Sequence, residues 1–256
     1  MFEEGPLFSI KNDKFNVVVL AAGLGTRLKP ETDYIPKALV QLGKERAVDY
    51  IVKKYQYVAD RVILAVGYCA DLLENYCRGK YPTLNLQFSR EEVSDLAGPG
   101  TSLLYALDSA SSRLPTVVTF CDYLLQDTFS LEQDALGLCR PGTDAAVLGT
   151  YKTVGKVVHD AVTDLLPNPD MEENRKDGFT GLFVCRETKL LKAITYGVAQ
   201  EKGVRQVDYA FDVVRPYIHK VRSVPCYLSK ILEFGTEETL AQARSRIHGR
   251  DEVHPA

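Results

Sequence analysis

The first half of the chain alternates between two hydrophobic patterns, and this alternation restricts the fold more than any other feature. Short apolar runs rich in β-branched residues predict buried strands at 16–20, 61–66 and 116–120. Apolar residues at helical spacing lie between these strands, at 48–59 and 102–111. Strands and helices in alternation form βαβ units with right-handed crossovers. We therefore predict an α/β fold of the Rossmann-like type, in which helices flank a mixed, mostly parallel sheet.

The remaining segments are assigned by the same patterns. They predict further strands at 84–88, 145–151, 179–184, 221–228 and 229–234, and further helices at 71–77, 188–194, 209–219 and 237–247. A polar stretch at 168–177 indicates an exposed loop. No repeat or linker separates two units, so we predict a single domain over 1–256, with an N-terminal extension at 1–14 and a tail at 249–256.

Charge and cysteine content argue against several classes of protein. The chain has 31 Lys and Arg residues against 34 Asp and Glu residues, a net charge of -3, whereas nucleic-acid-binding proteins usually have a basic surplus. The six scattered cysteines include no C-x-x-C pair, which indicates buried, reduced thiols. The sequence shows neither a signal peptide nor an apolar run of about 20 residues. We expect a cytoplasmic protein that binds neither nucleic acid nor membrane, and the sequence leaves its oligomeric state open.

The most specific local pattern follows the first predicted strand: Leu20-Ala-Ala-Gly-Leu-Gly-Thr-Arg-Leu-Lys-Pro30, then Pro36-Lys37-Ala-Leu-Val. A buried strand, a glycine loop and then a helix is a typical layout for a phosphate site, because glycines let an anion approach the backbone N–H groups. In open α/β sheets, ligands bind at the carboxyl ends of the strands, where this loop lies. The segment therefore predicts a phosphate-binding loop.

Two common glycine motifs do not fit this loop. A Rossmann dinucleotide fingerprint needs a third glycine at the position of Leu28. A P-loop needs Gly-Lys followed by Ser or Thr, and none of the Gly-Lys pairs in this chain continues in that way. What remains is a glycine loop with two fixed cations, Arg27 and Lys37, which suit a triphosphate and a second phosphate.

The loop resembles the signature of the sugar-nucleotidyltransferase family, which includes glucose-1-phosphate thymidylyl- and uridylyltransferases. Three further segments follow in the family's order. Gly98-Pro-Gly-Thr-Ser102 resembles the segment that contacts the nucleobase, and Phe120-Cys-Asp122 resembles the Gly-Asp metal motif. Glu233-Phe-Gly-Thr236 resembles the Asp-Ile-Gly-Thr motif. Each segment alone has low specificity, but four in the family's order, between 16 and 247, identify the chain as a member.

The resemblance implies a role for each matched residue. Three residues would be catalytic: Arg27, Lys37 and Asp122. Two carboxylates would bind a Mg²⁺ cofactor: Asp122 and Glu233. The nucleotide would contact two glycine segments: Leu20, Ala21, Ala22, Gly23, Gly25 and Thr26 in the first, and Gly98, Gly100 and Thr101 in the second. The acceptor would contact four residues: Lys37, Lys176, Gly181 and Asp208. Asp208 and its neighbour Tyr209 can equally be a helix cap and a core residue.

The chain departs from the family pattern in three places. Cys121 stands where the metal motif has glycine, and Glu233 replaces an aspartate. The family's Glu-Lys-Pro segment, which supplies a phosphate-binding lysine, is not recognisable, so Lys156 and Lys176 are both candidates for that lysine.

The chemistry of the implied reaction agrees with this set of residues. A phosphate monoester has a second pKa near ~6 and is mostly a dianion at neutral pH, so it needs no general base. The reaction needs charge neutralisation and in-line alignment. Accordingly, none of the four histidines lies in a matched motif. Mg²⁺ prefers one or two carboxylates together with phosphate oxygens.

The resemblance therefore implies an enzyme that condenses an NTP with a small phosphorylated acceptor, a sugar 1-phosphate first of all, and releases pyrophosphate. The alternative is a cytidylyltransferase that acts on choline phosphate or another non-sugar phosphate, because such enzymes have a similar loop and short chains and because the Glu-Lys-Pro segment is missing. A nucleotide-binding homologue without catalysis is the alternative of another kind, because Cys121 and Glu233 alter the metal motifs. The pair Ala21-Ala22 favours a pyrimidine nucleotide.

Overall fold

The computed structural model describes residues 14–92, 98–140, 153–167 and 177–253. Lys176, the strand predicted at 145–151 and most of the loop predicted at 168–177 lie outside the described residues.

The secondary structure is numbered in chain order. The described strands are β1 (Phe15–Leu20), β2 (Gln41–Leu42), β3 (Glu45–Arg46), β4 (Ala59–Val66), β5 (Leu86–Arg90), β6 (Thr116–Phe120), β7 (Tyr123–Leu125), β8 (Ala135–Cys139), β9 (Thr153–Val158), β10 (Ala161–Pro167), β11 (Gly178–Cys185), β12 (Val224–Tyr227) and β13 (Ile231–Glu233). The described α-helices are α1 (Ala47–Tyr55), α2 (Ala70–Lys80), α3 (Pro99–Ser109), α4 (Thr188–Lys202), α5 (Arg215–Ile218) and α6 (Glu237–Val253). Two 3₁₀ turns, Thr26–Leu28 and Lys37–Leu39, follow β1, and a π-helix, Tyr209–Val214, precedes α5.

A nine-stranded sheet forms the centre of the molecule, with the order β10-β9-β11-β6-β1-β4-β5 along its main path. β1 lies between β4 and β6 and is parallel to both. All six residues of β1 are buried, and its run of valines suits a strand that is covered on both faces. Because the three strands are parallel, their carboxyl ends open at the same edge of the sheet.

Helices cover both faces of the sheet, and the sheet separates two hydrophobic cores. α1, α2 and α6 pack in one core, and α3, α4 and the π-helix pack in the other. The predicted fold class, a single-domain α/β protein of Rossmann-like type, is confirmed. Among the described helices, none combines the length and the apolarity needed to cross a membrane.

The second half of the sheet is antiparallel and differs from the sequence-based expectation. β11 runs antiparallel to β6, β8 and β9, while β12 joins β8 in parallel. Periodicity predicts none of β7 to β10. The helix predicted at 188–194 continues to Lys202, because Val198 and Ala199 also pack on the core. The helix predicted at 209–219 begins as a π-helix, and the strands predicted at 221–228 and 229–234 shorten to β12 and β13.

Candidate active site

The loop after β1 is fixed at its base and open at its tip. The backbone N–H of Ala21 donates to Ala65 at 3.0 Å, and the carbonyl of Ala22 accepts from Tyr68 at 3.1 Å. Gly23 is exposed, and a Cβ at this position would meet no heavy atom within 4 Å. A ligand can therefore reach the backbone of Gly23 without displacing any described part of the chain.

The α-helix expected directly after this loop is absent, which corrects the prediction. Gly25 adopts a φ of 67° and leads into the 3₁₀ turn Thr26–Leu28. The Gly25 carbonyl accepts from the Thr32 hydroxyl at 2.8 Å and from the Leu28 N–H at 2.8 Å. The next α-helix begins only at Ala47. Because a three-residue turn aligns few peptide dipoles, phosphate binding here would depend on loop N–H groups and side chains instead of a helix macrodipole.

Lys37 forms a buried ion pair with Asp122. The Lys37 Nζ atom lies 3.1 Å from Asp122 Oδ2, and the two side chains are only 13% and 16% exposed. Burial by itself lowers the pKa of Lys37, but the Asp122 carboxylate more than reverses this, so the net pKa lies above its ordinary value. Burial raises the pKa of the adjacent Cys121 thiol to about 12. At neutral pH the site therefore holds a charged ammonium and an uncharged thiol.

Asp122 follows β6 and has one oxygen without a hydrogen bond. Its Oδ2 atom binds Lys37, and its backbone carbonyl accepts from Phe234 at 3.1 Å. Its Oδ1 atom is buried and finds no hydrogen-bond partner among the described residues. A buried carboxylate oxygen in this state is costly unless a ligand completes its surroundings.

Pairing between two short strands brings Glu233 beside Asp122. β13 runs antiparallel to β7, with Glu233 opposite Tyr123. Burial, and then the charge of Asp122, raises the pKa of Glu233 to about 7. The β7–β13 pairing therefore creates two neighbouring carboxylates that repel one another, an arrangement that a cation relieves.

The side chains of Arg27, Glu233 and Asp122 all come close to Gly235. A Cβ on Gly235 would lie 3.0 Å from Glu233 Oε1, 3.5 Å from Arg27 Nη2 and 3.6 Å from Asp122 Oδ2. This glycine leaves room where three charged groups converge. We call the region formed by Arg27, Lys37, Asp122, Glu233 and Gly235 the charged cleft.

The glycine start of α3, residues 98–101, is mostly occupied by packing. The Thr101 hydroxyl donates to the Val204 carbonyl at 2.9 Å. A Cβ on Gly100 would lie 2.2 Å from the Val207 carbonyl oxygen, so this glycine permits close backbone contact. Of the two glycines, only Gly98 has free space, with no heavy atom within 4 Å of a Cβ there. Contact between the backbone of these residues and a nucleotide stays a prediction.

The residues predicted to contact the acceptor differ in burial and in their hydrogen bonds. Gly181 is buried, has a φ of 84°, and its carbonyl accepts from the Tyr209 hydroxyl at 2.9 Å. Asp208 caps the π-helix by accepting from the Phe211 N–H at 2.7 Å. Lys156 is exposed on β9, while Lys176 is not described, so the choice between the two lysines stays open.

Gly235 and Gly67 also shape the site, although neither was predicted from the sequence as a site residue. Gly235 lies inside the segment that was matched, but only the converging side chains reveal its function. Gly67 lies at the end of β4, and a Cβ there would stand 2.9 Å from the Ala22 carbonyl oxygen. The role of Gly67 could have been predicted from its position at the carboxyl end of the strand beside β1.

Comparison with known proteins places the chain among nucleotidyltransferases. Residues 17–207 match the model of the MobA-like NTP transferase domain. A probable glucose-1-phosphate cytidylyltransferase of Bacillus subtilis is 32% identical over 120 residues, which cover 44% of this chain and 47% of that protein. The bifunctional protein GlmU of Ralstonia pickettii is 26% identical over 184 residues, 68% of this chain and 38% of that protein. The matches thus span less than half the length of either relative.

A solved structure shows the same fold. The CTP:phosphocholine cytidylyltransferase LicC of Streptococcus pneumoniae superposes with a TM-score of 0.71 and 18% sequence identity. The superposition covers 91% of this chain and 99% of that one.

Proposed function

The chain belongs to the MobA-like NTP transferase domain family, and we propose that it transfers a nucleotidyl group from an NTP to a small phosphorylated acceptor. The observation that carries this proposal is the charged cleft, in which two cations and two carboxylates meet at the carboxyl edge of the sheet. Two cations suit the phosphates of two substrates, and two carboxylates suit a divalent metal ion.

The reaction needs little covalent participation by the protein. An oxygen of the acceptor phosphate attacks the α-phosphorus of the NTP, and the bond from this phosphorus to the β-phosphate bridging oxygen breaks. The acceptor phosphate is already mostly dianionic, so no group must remove a proton. Arg27 would neutralise the charge that develops on pyrophosphate, and Lys37 would hold the acceptor phosphate. Both would act through fixed charge, Lys37 from a largely buried position and Arg27 from an exposed one.

The described residues fit a divalent metal ion. Members of the family generally use such ions, although the described residues include no group of three or more His, Cys, Asp or Glu side chains that could hold a metal ion by themselves. Two carboxylates are sufficient for Mg²⁺ when NTP phosphate oxygens complete its coordination. Asp122, through its unpartnered Oδ1 atom, and Glu233 would hold the ion. When bound, it would add positive charge beside the NTP phosphates.

A sugar 1-phosphate is the first candidate for the acceptor, as for the glucose-1-phosphate cytidylyltransferase among the relatives. Choline phosphate is the second, and an aromatic cluster supports it. The partly exposed ring of Phe120 packs edge-on against Tyr209 at 5.4 Å between centroids, two positions before Asp122. An aromatic surface attracts a quaternary ammonium group. Cytidine nucleotides occur with both acceptors among the relatives, which supports a pyrimidine NTP.

A single matrix of assays tests the proposal. ATP, CTP, GTP, UTP and dTTP are each combined with a set of sugar 1-phosphates and with choline phosphate, and pyrophosphate release is measured with Mg²⁺. We expect release with at least one pyrimidine nucleotide and one acceptor. Absence of release from every pair, together with measurable NTP binding, would instead identify a non-catalytic nucleotide-binding homologue.

The compartment remains a prediction that rests on thiol chemistry. The six cysteines carry free thiols and form no disulfide. This state is typical of a reducing compartment and supports a cytoplasmic protein.

A further inference from the structure

Tyr209 contacts both Gly181, which is predicted to contact the acceptor, and Phe120 at the end of β6. It is the first residue of the π-helix and is only 4% exposed. Its hydroxyl donates to the carbonyl of Gly181 at 2.9 Å. Its ring contacts Phe120 edge-on at 5.4 Å and stacks on Phe179 at 6.1 Å, both between centroids. Burial raises the pKa of Tyr209 far above its usual value, so the hydroxyl remains a donor at any physiological pH.

Phe120 and Gly181, the two residues that Tyr209 contacts, also pack tightly against each other. A Cβ on Gly181 would stand only 2.1 Å from Phe120 Cε2, so the ring occupies the space that a side chain would need. Phe120 ends β6, and Asp122 follows two residues later. A displacement of Gly181 therefore moves the ring of Phe120, and the ring is joined through the backbone to the carboxylate of the charged cleft.

The segment before Tyr209 contacts the other predicted substrate region. The Val204 carbonyl accepts from the Thr101 hydroxyl at 2.9 Å, and the Val207 carbonyl lies against Gly100. The chain from Val204 to Tyr209 thus extends from the glycine start of α3 to Gly181. No other segment that the structure describes is shown to make hydrogen-bonded or close glycine contacts with both regions.

We infer that Tyr209 is a positioning residue, which fixes Gly181 and Phe120 relative to the glycine start of α3. It acts through these neighbours and sets the separation between nucleotide and acceptor. The inference rests on the proposed function, together with the sequence-based prediction that Gly181 contacts the acceptor and that Gly98, Gly100 and Thr101 contact the nucleotide. Without the hydroxyl, the Gly181 carbonyl loses its partner, and the acceptor region shifts while the loop after β1 does not.

The test compares two variants that each remove one buried tyrosine hydroxyl. Tyr209→Phe removes the donor to Gly181. Tyr217→Phe is the matched control, because the Tyr217 hydroxyl donates to Asp134 at 2.6 Å and accepts from the Glu187 N–H at 3.1 Å within the same core. The substrates are the pair with the fastest pyrophosphate release among CTP and UTP with glucose 1-phosphate and choline phosphate.

We expect Tyr209→Phe to raise the KM for the acceptor by about three- to tenfold, the range that one hydrogen bond supports. The KM for the NTP should stay within about twofold. Tyr217→Phe should leave both KM values unchanged, even where it lowers the melting temperature more. Equal effects of the two variants on kinetics, or an effect of Tyr209→Phe on NTP alone, would overturn the inference.

A second measurement needs no substrate. In Tyr209→Phe, amide hydrogen exchange in the free protein should accelerate more at 179–182, around Gly181, than at 183–185, where Phe183 contacts Tyr217. Equal acceleration along the whole strand would contradict the positioning role. If no substrate pair reacts while this difference is present, the proposed function fails and the structural role of Tyr209 stands.

Discussion

The charged cleft and the glycine start of α3 both resemble ligand sites in the sequence, yet they differ in how many of their groups are already satisfied. In the charged cleft, a buried oxygen of Asp122 has no partner among the described residues, and Glu233 is held at a raised pKa. At the start of α3, the Thr101 hydroxyl donates to the Val204 carbonyl, and Gly100 packs against the Val207 carbonyl. A glycine motif can therefore have either of two roles. It can let a ligand come close to the backbone, or it can let another segment of the same chain pack closely against it. Substitutions in the cleft should therefore impair activity, and substitutions at the start of α3 should impair stability.

The largest effect is expected for Asp122→Asn, which removes a charge and keeps the volume. Turnover should fall by about 10³ with Mg²⁺, because the charge that would bind the ion is lost. Steady-state rates measure the effect, and circular dichroism checks the fold. The matched control is Asp60→Asn, which removes a carboxylate paired with Arg61 near the amino end of β4. Retention of most of the wild-type rate by Asp122→Asn would exclude Asp122 from the metal site.

Arg27→Ala should have the next largest effect. Arg27 is exposed, and it would act on the leaving pyrophosphate, so kcat should fall by about 10² while NTP binding changes little. Kinetics and a separate binding measurement distinguish the two quantities. Lys29→Ala, which removes an exposed cation on the same loop, serves as the control. A raised KM with unchanged kcat would make Arg27 a binding residue only.

At the start of α3, Gly100→Ala should lower stability more than Gly98→Ala. The added Cβ of the first would lie 2.2 Å from a backbone oxygen, whereas that of the second would meet nothing within 4 Å. We expect a loss of about 1–3 kcal/mol in the free energy of unfolding for Gly100→Ala, and within about 0.5 kcal/mol for Gly98→Ala. Denaturant titration provides both values. Equal stability of the two variants would show that the segment at 204–207 yields to the added methyl group.

The smallest effect should be a pH dependence of stability from Glu233. Its folded-state pKa of about 7 exceeds the ordinary value of 4.5, so the folded protein favours the protonated form. The wild type should therefore lose stability as the pH rises from about 5 to about 8, where the carboxyl must ionise. Glu233→Gln cannot ionise at this position and so lacks this loss. In EDTA, its free energy of unfolding should therefore rise relative to that of the wild type as the pH increases from about 5 to about 8. Mg²⁺ should reduce the difference in the free energy of unfolding between Glu233→Gln and the wild type. A difference that does not change with pH would contradict the raised pKa of this carboxyl.

The sequence predicted the parallel half of the sheet well, for a physical reason. β6 was predicted with its observed bounds, because a buried parallel strand needs a continuous apolar run. β8 was missed because Ala135–Cys139 contains no β-branched residue. The β9–β10 hairpin was missed because His159 and Asp160 form its turn at φ values of 48° and 58°, without the glycine that normally marks such a turn.

The candidate site was predicted in its parts but not in its geometry. Motif order indicated Arg27, Lys37, Asp122 and Glu233, since each lies in a short segment with its own pattern. Their convergence above Gly235 depends on the pairing of β7 with β13, and no local pattern encodes contacts between strands so distant in sequence. The packing of Gly100 against Val207 is hidden for the same reason.

The pairing of β7 with β13 also imposes an order on biosynthesis. The ribosome makes the chain from its amino end, so the loop after β1 and Asp122 emerge long before Glu233 and Gly235. The part that matches the family model ends at 207, ahead of β13. A nascent chain can therefore form most of the central sheet while its cleft has one carboxylate, Asp122, beside two cations, Arg27 and Lys37. The second carboxylate arrives only when β13 joins β7, so the cleft is first complete after residues 231–235 have been synthesised.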